Sequence, residues 1–250
     1  MNYQHNYSLH FPATKDVATR QRKATKIMQA LVTHLGRDNL RGLMCLDLGC
    51  SVGVISRTLA TAGARIVGID IDAAALRLAA SEHTKSATFV LGDVGATPFP
   101  NDTFDALICS QVYEHSPSLV LLVREIHRVL KMGGVCFFSG PNRWAVMEGH
   151  YHLPFLSWLP KAWANRYVRW SGRATEYYEY PRSVGELQHA LAGFAIHDLT
   201  PVMLRHPERY AMELEVGRFK YVARRVPDWL WTQLGRVVPN FNWMLVKVKP

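Results

Sequence analysis

Residues 45–72 read CLDLGCSVGVISRTLATAGARIVGIDID, an apolar run that breaks at Gly49, a longer stretch that breaks at Gly63, and a second apolar run that ends in acid. The spacing predicts a buried strand over 43–48, a helix over 52–62 and a second strand over 64–69. A strand, a tight glycine turn, a helix and another strand in so few residues make a unit whose two strands run parallel.

The same rhythm continues outward. Helices are expected over 73–81, 119–130 and 184–191, and strands over 87–91, 106–110, 135–139, 194–199 and 242–248. Upstream, residues 14–35 place Val17, Ala24, Ile27, Met28, Leu31, Val32 and Leu35 on one helical stripe, with Thr14 and Asp16 suited to its start and Gly36 to its stop. Short strands alternating with helices predict an open α/β fold, a mostly parallel sheet with helices on both faces. Two stretches break the pattern, 141–181 and 200–240, and read as insertions after the fifth and sixth strands. The chain then divides into an N-terminal helical cover, 1–39, and one domain, 40–250, that carries both insertions as lid segments.

Composition sets the outer bounds. The chain has 250 residues, 48% of them hydrophobic and 20% charged, enough apolar material for a core. Its apolar runs fall far short of a membrane-spanning helix, and its first residues, MNYQHNYSLHFPATKD, do not read as a secretory leader. Cys45, Cys50, Cys109 and Cys136 sit in or beside strand-like runs, without the close spacing of a zinc or redox pair. They are expected to be buried, reduced thiols in a cytoplasmic setting. The net charge is +9, and its source shifts along the chain: residues 1–140 hold 14 Lys/Arg against 11 Asp/Glu, residues 141–250 hold 15 against 9. All 7 Trp and 7 of the 10 Tyr follow residue 140.

The chemistry begins at the glycine turn. Small residues between a strand and a helix let a ligand approach the backbone. A dinucleotide site would carry a third glycine, which is missing here. Gly49-Cys50-Ser51-Val52-Gly53 also matches the G-x-S-x-G elbow of serine hydrolases, but that reading leaves the acids around the turn unexplained. Asp70 ends the next strand 21 residues after Gly49, where a carboxylate can accept both hydroxyls of a ribose. Asp72 suits the cap of the helix that follows. Asp93 ends the third strand, where it can accept from an adenine amino group, and Ser110-Gln111 end the fourth.

In this order the motifs LDLGCSVG, GIDID, GDVGATPFPNDTFD, YEH and RVLKMGG resemble the class I S-adenosylmethionine-dependent methyltransferases, particularly the small-molecule, ubiquinone-biosynthesis-like branch. The resemblance covers residues 40–140, and more faintly 182–199 and 241–249. It implies a seven-stranded sheet with an antiparallel last strand and S-adenosyl-L-methionine at the carboxyl ends of its first strands. It also implies the roles: Gly49, Cys50, Ser51 and Gly53 along the methionine part, Asp70 and Ile71 at the ribose, Asp93 and Val94 at the adenine. Asp47 would order the turn and reach the amino group through water, and Ser110 and Gln111 would close the pocket under the sulfonium. Ser51 departs from the glycine of many relatives, and its hydroxyl is expected to be tolerated with a negative φ.

The expected reaction is O-methylation of a small apolar or lipid-linked acceptor, with S-adenosyl-L-homocysteine as the other product. Two alternatives are a cofactor-binding protein without catalysis and a hydrolase acting through Ser51. An acceptor hydroxyl needs a base, and the candidates are His150, His115, Glu148 and His152, of which His150, Glu148 and His152 come from EGHYH, 148–152. His150 and His152 offer a metal two ligands without a third, so no metal is expected. The apolar and aromatic stretches 153–160 and 177–180 are expected to wall the acceptor pocket as well as pack. Residues 205–236 interleave Arg205, Arg209, Arg218, Lys220, Arg224, Arg225 and Arg236 with aromatic rings. Peripheral membrane contact is expected there, and no nucleic-acid partner.

Overall fold

The computed structural model describes residues 16–82 and 85–248. The leader reading and Thr14 fall in residues 1–15, outside them. In chain order the elements are α1 (Val17–His34), β1 (Met44–Leu48), α2 (Val54–Thr61), β2 (Arg65–Asp70), α3 (Ala73–Ser81), β3 (Ala87–Leu91), β4 (Phe104–Ser110), α4 (Leu119–Val129) and β5 (Leu130–Pro141). There follow α5 (Lys161–Trp170), α6 (Val184–Ala190), β6 (Phe194–Asp198), α7 (Thr200–Arg205), α8 (Glu213–Val216), α9 (Phe219–Ala223), α10 (Asp228–Leu234) and β7 (Asn240–Lys247).

The strands form one seven-stranded sheet in the order β3-β2-β1-β4-β5-β7-β6. Neighbours from β3 to β5 pair in parallel, while β7 is antiparallel to both β5 and β6. The strand order reverses beside β1, between β2 and β4. There the connections leave toward opposite faces, and a crevice opens outside the carboxyl ends of the strands.

Alternate side chains along each strand feed two cores. Leu46, Leu48, Val67, Ile69, Leu107, Cys109, Cys136 and Phe138 face one layer, where α4 brings Leu122, Ile126 and Val129 and α6 brings Leu187. Cys45, Ile66, Ala106, Ile108, Val135 and Phe137 face the other, where α1 brings Ile27, Ala30 and Leu31 and α2 brings Leu59 and Ala60. Each such aliphatic side chain, fully buried, contributes about 1.5–3 kcal/mol of transfer free energy. All four cysteines are free and buried. A third, smaller cluster joins Tyr151, Leu153, Leu156, Ala164, Val168 and Tyr177; it draws on residues after β5 alone.

Several boundaries differ from expectation for local reasons. The helix after the glycine turn starts at Val54, because Gly53 is in the left-handed region with φ 75°. Asp16 caps α1 by accepting from Thr19 N, yet Val17 is exposed and takes no part in the apolar stripe. β5 begins five residues early: Leu130 pairs with Phe104, and the register shifts before Val135 pairs with Ala106. Gly133, with φ 70°, takes the irregular turn between them.

Gly53 also fixes how closely α3 and β3 approach the turn. A Cβ placed there would lie 2.7 Å from the Phe89 ring and 2.9 Å from Ala79 Cβ. Gly53→Ala is therefore expected to lower stability by about 2–4 kcal/mol, from left-handed strain and overpacking together. Denaturant unfolding measures it, and a loss below about 0.5 kcal/mol would show that α3 yields to the extra methyl.

Candidate functional site

The turn after β1 is held in a conformation that ordinary residues avoid. Gly49, Ser51 and Gly53 all have positive φ, at 68°, 49° and 75°. Ser51 thus lacks the negative φ on which tolerance of its hydroxyl was expected to depend. Left-handed backbone costs a non-glycine residue on the order of 1–2 kcal/mol, and the contacts of the turn outweigh it. Gly49 N and Cys50 N both donate to Ile69 O, at 2.8 and 3.1 Å. Ser51 N donates to Asp70 Oδ2 at 2.7 Å, a bond strengthened by the carboxylate charge.

Asp70 is thereby fixed on both sides, since its Oδ1 accepts from Asp72 N at 2.9 Å. Burial pushes its carboxyl up from the ordinary value, and the N–H groups of Asp72 and Ser51 oppose the rise. Asp72 caps α3, accepting from Ala74 N and Ala75 N at 3.0 and 3.1 Å.

These residues border a cavity of about 300 Å³ at the switch point. Gly49 and Ser51 line it from β1, Asp70 and Ile71 from β2, Asp93 and Val94 from β3, and Ser110 and Gln111 from β4. Asp93 Oδ1 accepts from Gly95 N at 2.8 Å, Ser110 and Ser139 share a hydroxyl bond at 2.9 Å, and Gln111 sits at φ 58° with its N–H on Ser139 O. Three expected members are absent from the lining. Cys50 turns its Sγ toward Gly68, where an added Cβ would come within 2.7 Å of it. Gly53 faces Phe89 and Ala79. Asp47 is fully buried beneath the turn and accepts from Ser56 Oγ at 2.6 Å, tying β1 to α2; burial raises its carboxyl to about 7.

His115 and His150 line the same cavity, with ring centroids 5.4 Å apart and edge to face. Glu148 lies behind them, buried. It accepts from His150 N and Tyr151 N at 2.8 and 2.6 Å, and its Oε1 is 3.0 Å from His150 Nδ1. Burial alone would lower His150, but the bond from Glu148 and the charges of Glu179 and Glu114 outweigh it and hold the imidazole up, at about 9. His115 has burial and the charge of His150 both against protonation, and drops to about 3. Glu114 is completely buried, which raises it to about 7 against the pull of His150. Burial likewise raises Glu179.

His152 is not part of this group. It is exposed, at φ 52°, on the outside of its loop. The metal reading therefore rested on the wrong pair: the ligand-type atoms that do come together, within 4.8 Å, belong to Glu114, His115 and His150. Glu114 Oε1 and His115 Nε2 stand 4.0 Å apart, wider than the roughly 3.4 Å between ligands of a tetrahedral ion with bonds near 2.1 Å. No residue of 153–160 or 177–180 lines the cavity; those rings pack in the third cluster or face solvent.

Sequence reasoning missed the wall supplied by α1. Asp16, Thr19, Arg20 and Lys23 line the cavity opposite the turn. The charge of Arg20 acts on Asp47 and Cys50, and that of Lys23 on Glu114. Their one sequence signal was a run of cations off the apolar stripe. Glu179 was missed as well, hidden among the aromatic rings of 177–180. Ser51, by contrast, makes no side-chain hydrogen bond to a histidine among the described residues, as a hydrolase nucleophile would.

The fold and the order of these groups match known proteins. Residues 46–138 match the family model described as a methyltransferase domain. A ubiquinone biosynthesis O-methyltransferase of Pseudomonas syringae pv. tomato is 34% identical over 131 residues, 48% of this chain and 56% of the relative. The chain thus spans about half the length of that relative; a second of the same name, from Ralstonia nicotianae, is 29% identical over 76% of this chain and 79% of its own. Among solved structures, an S-adenosylmethionine-dependent methyltransferase from Mesorhizobium loti superposes with TM-score 0.57 at 21% identity, covering 86% of this chain and 96% of that one. The plantazolicin methyltransferase BpumL, solved with S-adenosylhomocysteine, superposes at 0.62 and 15%, covering 97% and 89%. With the glycine turn on β1, the acid at the end of β2 and an antiparallel β7 all in place, the chain has the fold of these methyltransferases, and its residues 46–138 are similar in sequence to their methyltransferase domain.

Proposed function

We propose that this protein transfers a methyl group from S-adenosyl-L-methionine to an oxygen of a small apolar acceptor. One observation carries the reading: a single cavity is lined both by the fixed carboxylate of Asp70 and by the His115–His150 pair. The residues fit the cofactor. Asp70 keeps its two oxygens oriented by backbone N–H groups and still borders the cavity, as a ribose diol requires. Asp93 and Val94 stand where the adenine edge would lie, and the bare backbone of Gly49 and Ser51 would follow the methionine part. Arg20 supplies a positive charge opposite the turn, suited to the carboxylate of that part. Bound there, the cofactor supplies an electrophilic methyl group on a sulfonium.

The chain's own contribution is alignment, exclusion of water and the handling of one proton. His150, held charged by Glu148, donates to the acceptor oxygen or to a polar neighbour of it. His115, neutral through the physiological range, takes the hydroxyl proton, with the buried Glu114 side chain 4.0 Å from its Nε2. A lipid-linked acceptor of the same chemistry belongs to this reading. It would bring in the membrane contact expected of 205–236, where Arg218, Lys220 and Arg225 alternate with exposed Phe219, Tyr221 and Trp229. Arg205 and Arg224 are already engaged there by Asp228 and Glu208, at 2.6 and 2.8 Å.

The first test is calorimetric titration with S-adenosyl-L-methionine and S-adenosyl-L-homocysteine. Asp70→Ala is expected to weaken both by about 2–4 kcal/mol, since a charged acceptor of hydrogen bonds is lost; unchanged affinity would remove the cofactor site. Against a catechol acceptor, His115→Asn is expected to cut kcat by about 10²-fold or more with cofactor affinity intact, and His150→Gln to act mainly on the acceptor KM. Equal effects of both on KM alone would leave His115 without the proton.

Glu114 gives a pH signature. Its folded value near 7 lies above the ordinary 4.5, so the native state holds a proton that the unfolded chain releases first. The associated stability is full below about pH 4.5 and is lost as pH rises through 7, by up to about 3 kcal/mol. Glu114→Gln is expected to flatten that fall in thermal unfolding between pH 4.5 and 8. Parallel curves for the two proteins would contradict it.

A further inference from the structure

The aromatic residues after β5 fall into two populations. Tyr151 and Tyr177 are buried, edge to face at 5.4 Å, and form the third cluster with Ala164 and Val168 of α5. Tyr167 packs beside them, whereas Trp144, Phe155, Trp158, Trp163 and Trp170 are exposed. On α5, Ala164 and Val168 define the inward side, and Trp163 and Trp170 lie seven positions apart, two turns along one outward stripe. They are 64% and 84% exposed, with Arg166 between them and Arg169 and Arg173 exposed beside them. Trp144, Phe155 and Trp158 form a second exposed group, with ring centroids 5.7 and 4.9 Å apart, next to exposed Val146 and Met147. Arg143 stands over the Trp144 ring at 5.4 Å.

The charges on this face are one-sided. Between residues 142 and 178 the acids are Glu148 and Glu176, and Glu148 is buried against His150. The outward side therefore carries the guanidinium groups of Arg166, Arg169 and Arg173 against a single exposed carboxylate. Indole rings exposed to water on a packed helix add nothing to folding, whereas at a lipid headgroup layer they bury their faces and keep their N–H groups wet. Arginines between them reach phosphates, and each cation near an anionic surface adds about 1 kcal/mol of attraction.

We propose that the outward stripe of α5, together with Trp144, Phe155 and Trp158, docks this protein on an anionic lipid bilayer surface. The tryptophans supply the apolar anchor and the arginines the electrostatic one, a pairing that single weak signals need for stable binding. The exposed cations of 205–236 add charge to the same association. His150 lies in the chain between Trp144 and Phe155, so the docked segment also carries a residue that lines the cavity. That last point, delivery of an acceptor dissolved in the bilayer, rests on the functional reading above; the docking itself does not.

Co-sedimentation with vesicles of equal parts phosphatidylglycerol and phosphatidylcholine tests it, with pure phosphatidylcholine as the uncharged reference. The protein is expected to sediment with the anionic vesicles, and Trp163→Ala/Trp170→Ala to lose at least about tenfold in vesicle affinity. Leu78→Ala, an exposed apolar residue on α3, is expected to bind vesicles as the parent does. Cofactor affinity by calorimetry should be the same in all three. A parent protein that stays in the supernatant, or a double variant that binds equally well, overturns the proposal. So does a parent that ignores vesicles but dissociates from dimer to monomer on losing the two tryptophans, since the stripe would then join copies of this chain. Binding of vesicles without binding of cofactor supports the docking and overturns the functional reading alone.

Discussion

Everything at the functional end of this molecule hangs on the way the turn after β1 is fastened to the end of β2. Two successive N–H groups, of Gly49 and Cys50, converge on one carbonyl, Ile69 O, and the next N–H, of Ser51, goes to the Asp70 carboxylate. The turn cannot relax without freeing a buried acid, and the acid cannot move without releasing the turn. This reciprocity permits a serine in left-handed backbone, and it keeps a partly buried carboxylate facing a cavity. Asp47 does the corresponding work underneath, where its bond to Ser56 ties the strand before the turn to the helix after it.

The cluster around His150 is built on the opposite principle. Instead of one fixed bond network it concentrates three buried acids, Glu114, Glu148 and Glu179, around the partly exposed His150. Of these, Glu148 alone meets the imidazole at hydrogen-bond distance. Burying one carboxylate with a matching cation is tolerable, but burying three is not unless protons or further charge are taken up. The raised values of Glu114 and Glu179 are that uptake. His115 is the exception that makes the cluster useful, because its ring is kept neutral by the same burial and by the charge of its neighbour. Two histidines 5.4 Å apart therefore present opposite protonation states to one cavity.

Much of the fold was legible because its signals are local. Strand length, the glycine turns and the acid 21 residues after Gly49 sit in one contiguous stretch, and the structure places the strands where periodicity put them. Ser110 and Gln111 were legible as the end of a strand that had to lie beside β1. Cys50 and Gly53 were expected along the ligand and lie outside the cavity lining, because adjacent residues in a tight turn point in different directions: Gly49 and Ser51 border the cavity, whereas Cys50 faces Gly68 and Gly53 faces Phe89. Their small size suits that packing. Arg20 and Lys23 could not be read at all, since nothing in 45–72 says which face of a helix begun thirty residues earlier will lean over the crevice.

The second half of the chain shows the same limit in its aromatic residues. Composition counts seven tryptophans after residue 140 but cannot divide them. The structure buries Trp231 and Trp243 against the sheet and its helices and leaves Trp163, Trp170 and Trp229 in solvent. A helix such as α5 needs two small inward residues, Ala164 and Val168, to settle which tryptophans face out, and their role depends on Leu153, Leu156 and Tyr177 folding over them from either side. Once that small core is in place, the exposed rings follow as a consequence of geometry. An aromatic-rich segment with its own core, attached to a sheet it does not extend, has its buried residues answering to stability and its exposed ones free to answer to something outside the chain.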